Sequence, residues 1–410
     1  MLMPQMNEET RRYIEANLDA DVRRLALNGS RDEAVDMPLA LQQIAGRQTA
    51  RRKLPSWAAL PNILYPQHLG MEQCSSEQTA RYKQSVCRSL LSSLSSAQAT
   101  MLVDLTGGFG VDFSFLAPLF RRAVYVERQE VLCQLARHNF AVLGVNAEVV
   151  CGKGEDVLHQ LEEYVTMIFL DPARRDTNGA RTYGISDCTP DVLTLLDELL
   201  QKADFVMLKL SPMLDWRKAV SDLGEKWVRE VHIVSTGGEC KELLLVLSAN
   251  GSEQPLRLVC INDEQVFESA NTHLAQTVPT AHSSYQLHEL PQTFLYEPNA
   301  SVMKAGCFAE LQERFGVAQL SQNSHLFVSN GEVKDFPGRS FRVVAVSTMN
   351  KRELKEKILP LQQANITVRN FPLSVAELRK RLKIGEGGSH YVFATTLANR
   401  DHVLIVCERL

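Results

Sequence analysis

The sequence holds no apolar run that approaches the ~18–20 residues a membrane-spanning helix needs, and residues 1–12 lack the apolar core of a signal peptide. It also lacks any C-x-x-C pair. The nine cysteines are scattered from Cys74 to Cys407, so no zinc site or other metal centre is expected. An odd number of dispersed cysteines fits a reducing compartment, where most pack as small apolar side chains, and the expected location is the cytoplasm. An overall basic charge is missing too: the formal net charge is −4, so nucleic acid is not indicated by charge as a whole. What is present is an average composition, 45% apolar and 22% charged, over 410 residues. That length exceeds one ordinary core and implies two or three domains at roughly 150 residues each.

Residues 1–74 read as a helical region with Pro and Gly breaks. No acid falls between Met37 and Met71, whereas Arg47, Arg51, Arg52 and Lys53 are basic. Those four suit either a solvated helix end or a phosphate contact. From about residue 101 to 246 short apolar runs alternate with helix-length segments. The runs are residues 101–105, 123–126, 147–150, 167–170 and 205–210; the helices between them are 111–120, 131–143, 155–164 and 190–201. That alternation predicts an α/β fold with a Rossmann-like, doubly wound parallel sheet. Two further strands, 231–234 and 243–247, joined through Gly237 and Gly238, suit an antiparallel edge hairpin. Residues 254–335 carry a strand at 256–261 and a helix near 300–315, and read as a linker or small ferredoxin-like subdomain. From 336 to 410 the order strand 341–347, helix 351–361, strand 366–369, helix 375–382, strands 391–396 and 403–407 predicts a small α+β domain. The expected boundaries are therefore 1–74, 75–262, 263–335 and 336–410.

The densest signal begins at Asp104. The run Asp104, Leu105, Thr106, Gly107, Gly108, Phe109, Gly110 follows a strand and opens a helix, where glycine lets the backbone turn sharply and approach a ligand. The G-x-G-x-x-G spacing of dinucleotide sites is absent, which sets a dehydrogenase aside. Twenty residues after Gly107, Glu127 ends the second strand, where a carboxylate can accept from both hydroxyls of a ribose. After the third strand, Glu155 and Asp156 offer acceptors for an adenine amino group. These elements sit at the carboxyl ends of parallel strands, where open α/β sheets bind ligands. The expected ligand is the nucleoside of S-adenosylmethionine.

The fourth strand ends Asp171, Pro172, Ala173, Arg174, Arg175, Asp176. Methylating an exocyclic nitrogen needs acceptors for its N–H groups, which aim its lone pair at the methyl carbon. The Asp171 carboxylate and a neighbouring backbone carbonyl, that of Pro172, provide them. Transfer is an in-line displacement, so positioning supplies much of the rate. Arg174 and Arg175 suit an anionic substrate. The fifth strand ends Lys209, Leu210, Ser211, Pro212, Met213 without a cysteine, and Cys188 has no base placed by sequence, so carbon methylation is not expected.

Residues 75–183 resemble the RNA guanine-N2 methyltransferases of the trimethylguanosine synthase type. The likeness rests on Ser75, Ser76, Glu77, Gln78, Thr79, Ala80, Arg81, Tyr82, on Asp104 to Asp112, on Ala136, Arg137, His138, Asn139, and on Gly144 and Val145. It implies that Glu77, Thr79, Asp104, Gly107, Glu127 and Asp156 face S-adenosylmethionine, together with the turn residues Thr106, Gly108 and Gly110. Where that family ends its fourth strand S-P-P-W-G-G, this chain has Asp171, Pro172, Ala173, Arg174. A guanidinium also stacks on a base, and the departure leaves the nucleobase open. Over nearly its whole length the chain is similar to a bacterial group of methyltransferases with a C-terminal THUMP-like domain, through Asp171 to Asp176, Lys209 to Asp215, Gly238 to Glu242, and the tail from Arg369, Asn370, Phe371, Pro372.

Between Arg339 and Lys383 there are eleven basic residues and three acids, an excess of +8 within a chain of −4. Such asymmetry is the footprint of phosphate binding, or of a solvated basic helix face. Arg342, Arg352, Arg369, Arg379 and Arg381 are the expected RNA contacts, with Arg175 beside the chemistry. The reading is an S-adenosylmethionine-dependent methyltransferase acting on a base nitrogen in tRNA or rRNA. A methyltransferase for a small molecule or protein, and an RNA-binding protein with an inactive methyltransferase domain, remain alternatives.

Overall fold

The computed structural model describes residues 6–30, 32–94, 100–174, 184–250, 255–269, 290, 292–321 and 323–410, with the Arg174 side chain outside that set. The chain forms two compact units, residues 1–229 with 244–254, and 230–243 with 255–410. Among the described residues no helix is long and apolar enough to cross a membrane.

In the first unit Met101–Asp104 (β1), Arg122–Glu127 (β2), Glu148–Cys151 (β3) and Val165–Leu170 (β4) alternate with helices, and Ala203–Leu210 forms β5. All pair in parallel, in the order β3, β2, β1, β4, β5. β1 and β4 are buried at every position, as parallel strands covered on both faces must be. Asp104 lies opposite Tyr125 on one side and Phe169 on the other, so β1, β2 and β4 finish side by side. The helices Glu8–Ala16 (α1), Val22–Asn28 (α2), Met37–Lys53 (α3), Pro55–Ala58 (α4), His68–Gln73 (α5) and Glu77–Ser92 (α6) precede the sheet. Val111–Leu116 (α7), Glu130–Leu143 (α8), Gly154–Gln160 (α9), Val192–Lys202 (α10) and Trp216–Leu223 (α11) follow its strands. One core face gathers Phe113, Tyr125 and Phe140, whose ring centroids lie 5.0–5.5 Å apart, with Leu102, Met167, Phe169 and Met207.

The expected break at 74/75 does not separate a domain. Trp57, Tyr65 and Met71 are fully buried in one cluster with Phe109 and Val111 of the β1–α7 turn, and Trp57 meets Phe109 edge-on at 5.0 Å. The amino-terminal helices therefore complete the core of the sheet unit.

Val228–Thr236 (β6) and Glu239–Leu247 (β7) make the expected hairpin through Gly237 and Gly238, both at positive φ, but it is not the sheet edge that was expected, because β6 pairs onward with residues 257–262. In the second unit Arg257–Asn262 (β8) pairs in parallel with β6, and Gln265–Ser269 (β9) pairs back on β8. The expected boundary at 262/263 falls inside this hairpin, between Asn262 and its cross-strand partner Gln265, with Asp263 in the turn at φ +54°. Among the described residues a second sheet has seven strands. Phe294–Pro298 (β10), Phe327–Ser329 (β11), Gly338–Thr348 (β12), Asn365–Arg369 (β13), His390–Thr396 (β14) and His402–Arg409 (β15) are ordered β11, β10, β12, β15, β14, β13, with the short strand Ala318–Gln319 outside β11. The 335/336 boundary thus divides strands that share one sheet, since β10 pairs with β12. The single helix expected near 300–315 is broken by left-handed Gly306 into Ala300–Ala305 (α12) and Phe308–Phe315 (α13). The helix expected over 351–361 starts as Lys351–Glu353 (α14), then widens over Leu354–Ile358 and tightens over Leu359–Leu361, where Pro360 lacks an N–H. Val375–Leu382 (α15) begins with a Ser374–Glu377 capping box.

Trp57→Ala should lower the unfolding free energy of the sheet unit by about 3–5 kcal/mol, measured in urea by circular dichroism. An unchanged transition would mean that the amino-terminal helices are an independent appendage.

Candidate active site

The turn after β1 is built against the end of β2. Gly107 N–H donates to the Val126 carbonyl at 2.8 Å, and Gly108 N–H donates to Glu127 Oε2 at 3.0 Å. The other Glu127 oxygen accepts from Gln129 N–H at 2.8 Å, and the Tyr125 hydroxyl donates to the Gly108 carbonyl. A Cβ at Gly107 would stand 2.1 Å from the Tyr125 ring, which is why that position tolerates only glycine. Gly110, at φ +82°, begins α7 in the left-handed conformation. The residues separated by twenty positions in the sequence are thus neighbours, and Glu127 presents a nearly buried carboxylate beside a backbone turn.

Asp104 Oδ1 accepts from Thr106 N–H at 2.9 Å, and Asp171 N–H donates to the Thr106 hydroxyl at 2.6 Å. These bonds tie the end of β1 to the end of β4. Burial pushes the Asp104 carboxyl well above the usual carboxylate range, opposed by the Thr106 N–H and reinforced by Asp112, Asp171 and Glu127. Asp171 itself is half-buried, with Lys209 Nζ 2.5 Å from its Oδ2. Pro172 is buried and Ala173 exposed. The Arg174 backbone pairs with Cys188, while its side chain and all of Arg175 lie outside the described residues.

Sequence reasoning singled out neither Lys83 nor the pairing of Asp112 with Lys209. Lys83 is completely buried, its Nζ 3.2 Å from Asp112 Oδ1 and 3.3 Å from the Ser75 hydroxyl. Ser75 donates to Asp112 Oδ2 at 2.7 Å, and Lys209 Nζ lies 3.7 Å from the same oxygen. Burial would raise the Asp112 carboxyl, but Lys83 and Lys209 outweigh it and hold it below its ordinary range. Both lysines left a signal. Lys83 falls on the stripe of Thr79, Ala80, Val86, Cys87 and Leu90 that α6 buries, and Lys209 interrupts the apolar run of β5.

Other expected cofactor residues are occupied locally. Glu77 accepts from Ser56 N–H at 2.8 Å and from Arg81 at 2.6 and 2.9 Å, and its carboxyl is held low because these bonds outweigh burial. Thr79 N–H donates to the Ser76 hydroxyl that caps α6. Asp156 is exposed in the first turn of α9. Among the described residues no cluster of His, Cys, Asp or Glu has the form of a metal site.

In the second unit, three of the five expected RNA arginines have internal partners. Arg342 pairs with Glu408 at 2.8 Å, Arg369 with the buried Glu297 at 2.9 Å, and Arg379 donates to the Gly385 carbonyl at 2.6 Å. Arg352 and Arg381 are exposed.

A parallel sheet ordered β3, β2, β1, β4, β5, with a glycine turn after its central strand and an acid closing the next, defines a class I S-adenosylmethionine-dependent methyltransferase. Known proteins agree. A methyltransferase of solved structure from Porphyromonas gingivalis W83 is 31% identical, the match covering 98% of this chain and 97% of that one, with a TM-score of 0.83. An S-adenosylmethionine-dependent methyltransferase of Mycobacterium tuberculosis, matched in strains CDC 1551 and H37Rv, is 26% identical over 285 residues, 68% of this chain and 73% of its own. Residues 338–409 match the family described as THUMP domain-like, and residues 294–337 a ferredoxin-like domain. The chain belongs to the family of the P. gingivalis protein: it is a class I methyltransferase that uses S-adenosylmethionine and carries a THUMP-like carboxyl-terminal domain.

Two outcomes follow. Saturating S-adenosylmethionine should raise the melting temperature, and Gly107→Val, which drives a side chain into Tyr125, should abolish that rise. Lys83→Met should cost about 3–5 kcal/mol at neutral pH by leaving a buried carboxylate short of its main cation. Because the Asp112 carboxyl is depressed in the fold, its contribution is present above its ordinary value of 3.8 and lost as pH falls through the folded value. The difference between wild type and Lys83→Met, followed by urea unfolding across pH, should therefore shrink on acidification; a constant difference would contradict the ion pair.

Proposed function

We propose that the enzyme methylates a base nitrogen in RNA, tRNA or rRNA, at the carboxyl end of β4. The observation that carries this reading is the Asp171 carboxylate, half-exposed and held beside the glycine turn by Thr106 and Lys209. Glu127, with a lone pair left on each oxygen after its backbone bonds, suits the two ribose hydroxyls of the cofactor. Asp104, Thr106, Gly107, Gly108 and Gly110 shape the turn on which its amino-acid part rests, and Asp156 suits the adenine amino group. Glu77 and Thr79 act at one remove, fixing the start of α6. The cofactor supplies an electrophilic methyl carbon on a sulfonium. Asp171 and the Pro172 carbonyl accept the N–H groups of the target amine and aim its lone pair, and Asp171 takes the proton that the product nitrogen sheds. Arg174 and Arg175 follow immediately and suit the base and its phosphate.

RNA is favoured by the +8 segment, seven of whose cations are exposed: Arg342, which pairs with Glu408, and Lys351, Arg352, Lys355, Lys380, Arg381 and Lys383. The Arg342 pair with Glu408 lies at the surface, while Arg369 and Arg379 serve that domain's own structure instead. Their internal partners favour the second reading, a small-molecule or protein substrate, to that extent.

Mass spectrometry of nucleosides from a strain lacking the gene should show one base-methylated nucleoside missing, restored by the wild-type chain and not by Asp171→Ala. RNA affinity should fall with salt, and Arg352→Glu with Arg381→Glu should flatten that dependence by roughly one unit of slope per lost phosphate contact. An unchanged nucleoside profile with salt-insensitive or absent RNA binding would favour the second reading.

A further inference from the structure

We infer that Lys209 is the positioning residue for methyl transfer, holding the Asp171 carboxylate in the one orientation that receives the target amine. The inference rests on the reading of Asp171 given above. Its physical basis is a choice of partners. Lys209 projects from the end of β5 between two acids, Asp171 at 2.5 Å and Asp112 at 3.7 Å. Asp112 is already served: Lys83 lies at 3.2 Å and the Ser75 hydroxyl donates at 2.7 Å. The nearer acid is Asp171, so Lys209 makes its hydrogen bond there while its charge also reaches Asp112.

The geometry also separates the two oxygens of Asp171. Its backbone is fixed by the N–H bond to Thr106, which leaves its two side-chain torsions as the remaining freedom. Lys209 takes Oδ2 and removes that freedom, turning Oδ1 to the role of acceptor. An aspartate at a strand end followed by proline cannot be steadied from its carboxyl-terminal side by a backbone N–H of the next residue, since Pro172 has none. The lysine supplies the missing constraint from the neighbouring strand. Lys209 is largely shielded, with 12% of its side chain exposed, so its pairing is weakly screened by salt. Ser75 and Lys83 have a part as well. By satisfying Asp112 they keep Lys209 from being drawn away from Asp171, which links the start of α6 to the chemistry.

The test uses full-length protein, labelled S-adenosylmethionine and total RNA from a strain lacking the gene. Lys209→Met should lower turnover about 100-fold, the scale of a misplacement of an ångström at a reacting centre, with the KM for RNA and the affinity for S-adenosylmethionine within about threefold of wild type. Lys209→Arg, which keeps the charge, should recover a large part of the rate. A thermal double-mutant cycle needs no substrate: Lys209→Met and Asp171→Asn together should lower the melting temperature by less than the sum of the single changes. Additive shifts would overturn the pairing. Transfer by Lys209→Met within about threefold of wild type would overturn the positioning role and leave the Asp171 reading standing. No transfer by the wild type would overturn both.

Discussion

The site depends on one contact, the hydrogen bond from Gly108 N–H to the Glu127 carboxylate, and on the glycine that makes it possible. Tyr125 fills the space where a Cβ at Gly107 would stand and sends its hydroxyl to the Gly108 carbonyl. The turn is therefore clamped to β2 at three points, counting the bond from Gly107 N–H to Val126. A nucleoside pocket needs a backbone turn and an acid held at fixed separation. Here each holds the other. Tyr125 in turn packs against Phe113 and Phe140, so the geometry of the turn is anchored in the aromatic core below it.

Charge is the second constraint. Asp104, Asp112, Glu127 and Asp171 crowd the ends of β1, β2 and β4 and the start of α7, and such crowding favours proton uptake. Lys83 and Lys209 offset it unequally. They hold Asp112 ionised, whereas Asp104, fully buried and bonded to Thr106, is pushed toward its neutral form. The surroundings thus give the neighbouring carboxyls Asp104 and Asp112 different states, and in the proposed reading Asp171 and Glu127 are the acids that meet ligands. A cationic cofactor suits a pocket in which acids outnumber bases.

Much of this was legible in the amino-acid order. The five parallel strands and the helices between them follow from apolar runs and their spacing, and the turn with Glu127 follows from glycine positions twenty residues upstream of an acid. The class of enzyme and its cofactor were legible from the same residues. What stayed hidden depends on tertiary contact. Nothing local shows that Trp57 packs on Phe109 or that Tyr65 joins the same buried cluster, so the amino-terminal helices read as a separate region. Asp263 at positive φ turns a strand back upon itself where a domain boundary was expected. Lys83 was overlooked because a single cation on an apolar helix stripe is easily taken for a surface residue, and its partner Asp112 lies twenty-nine positions away. In the basic tail, counting charges could not distinguish Arg369, committed to Glu297, from Arg352 at the surface.

The central claim is that the glycine turn and Glu127 form one nucleoside pocket. A crystal structure with S-adenosylhomocysteine tests it most directly. The account predicts both ribose hydroxyls within hydrogen-bond distance of the Glu127 carboxylate, with the amino-acid part of the ligand over residues 104–110. A nucleoside bound elsewhere, with Glu127 contacting only Gly108 and Gln129, would contradict it.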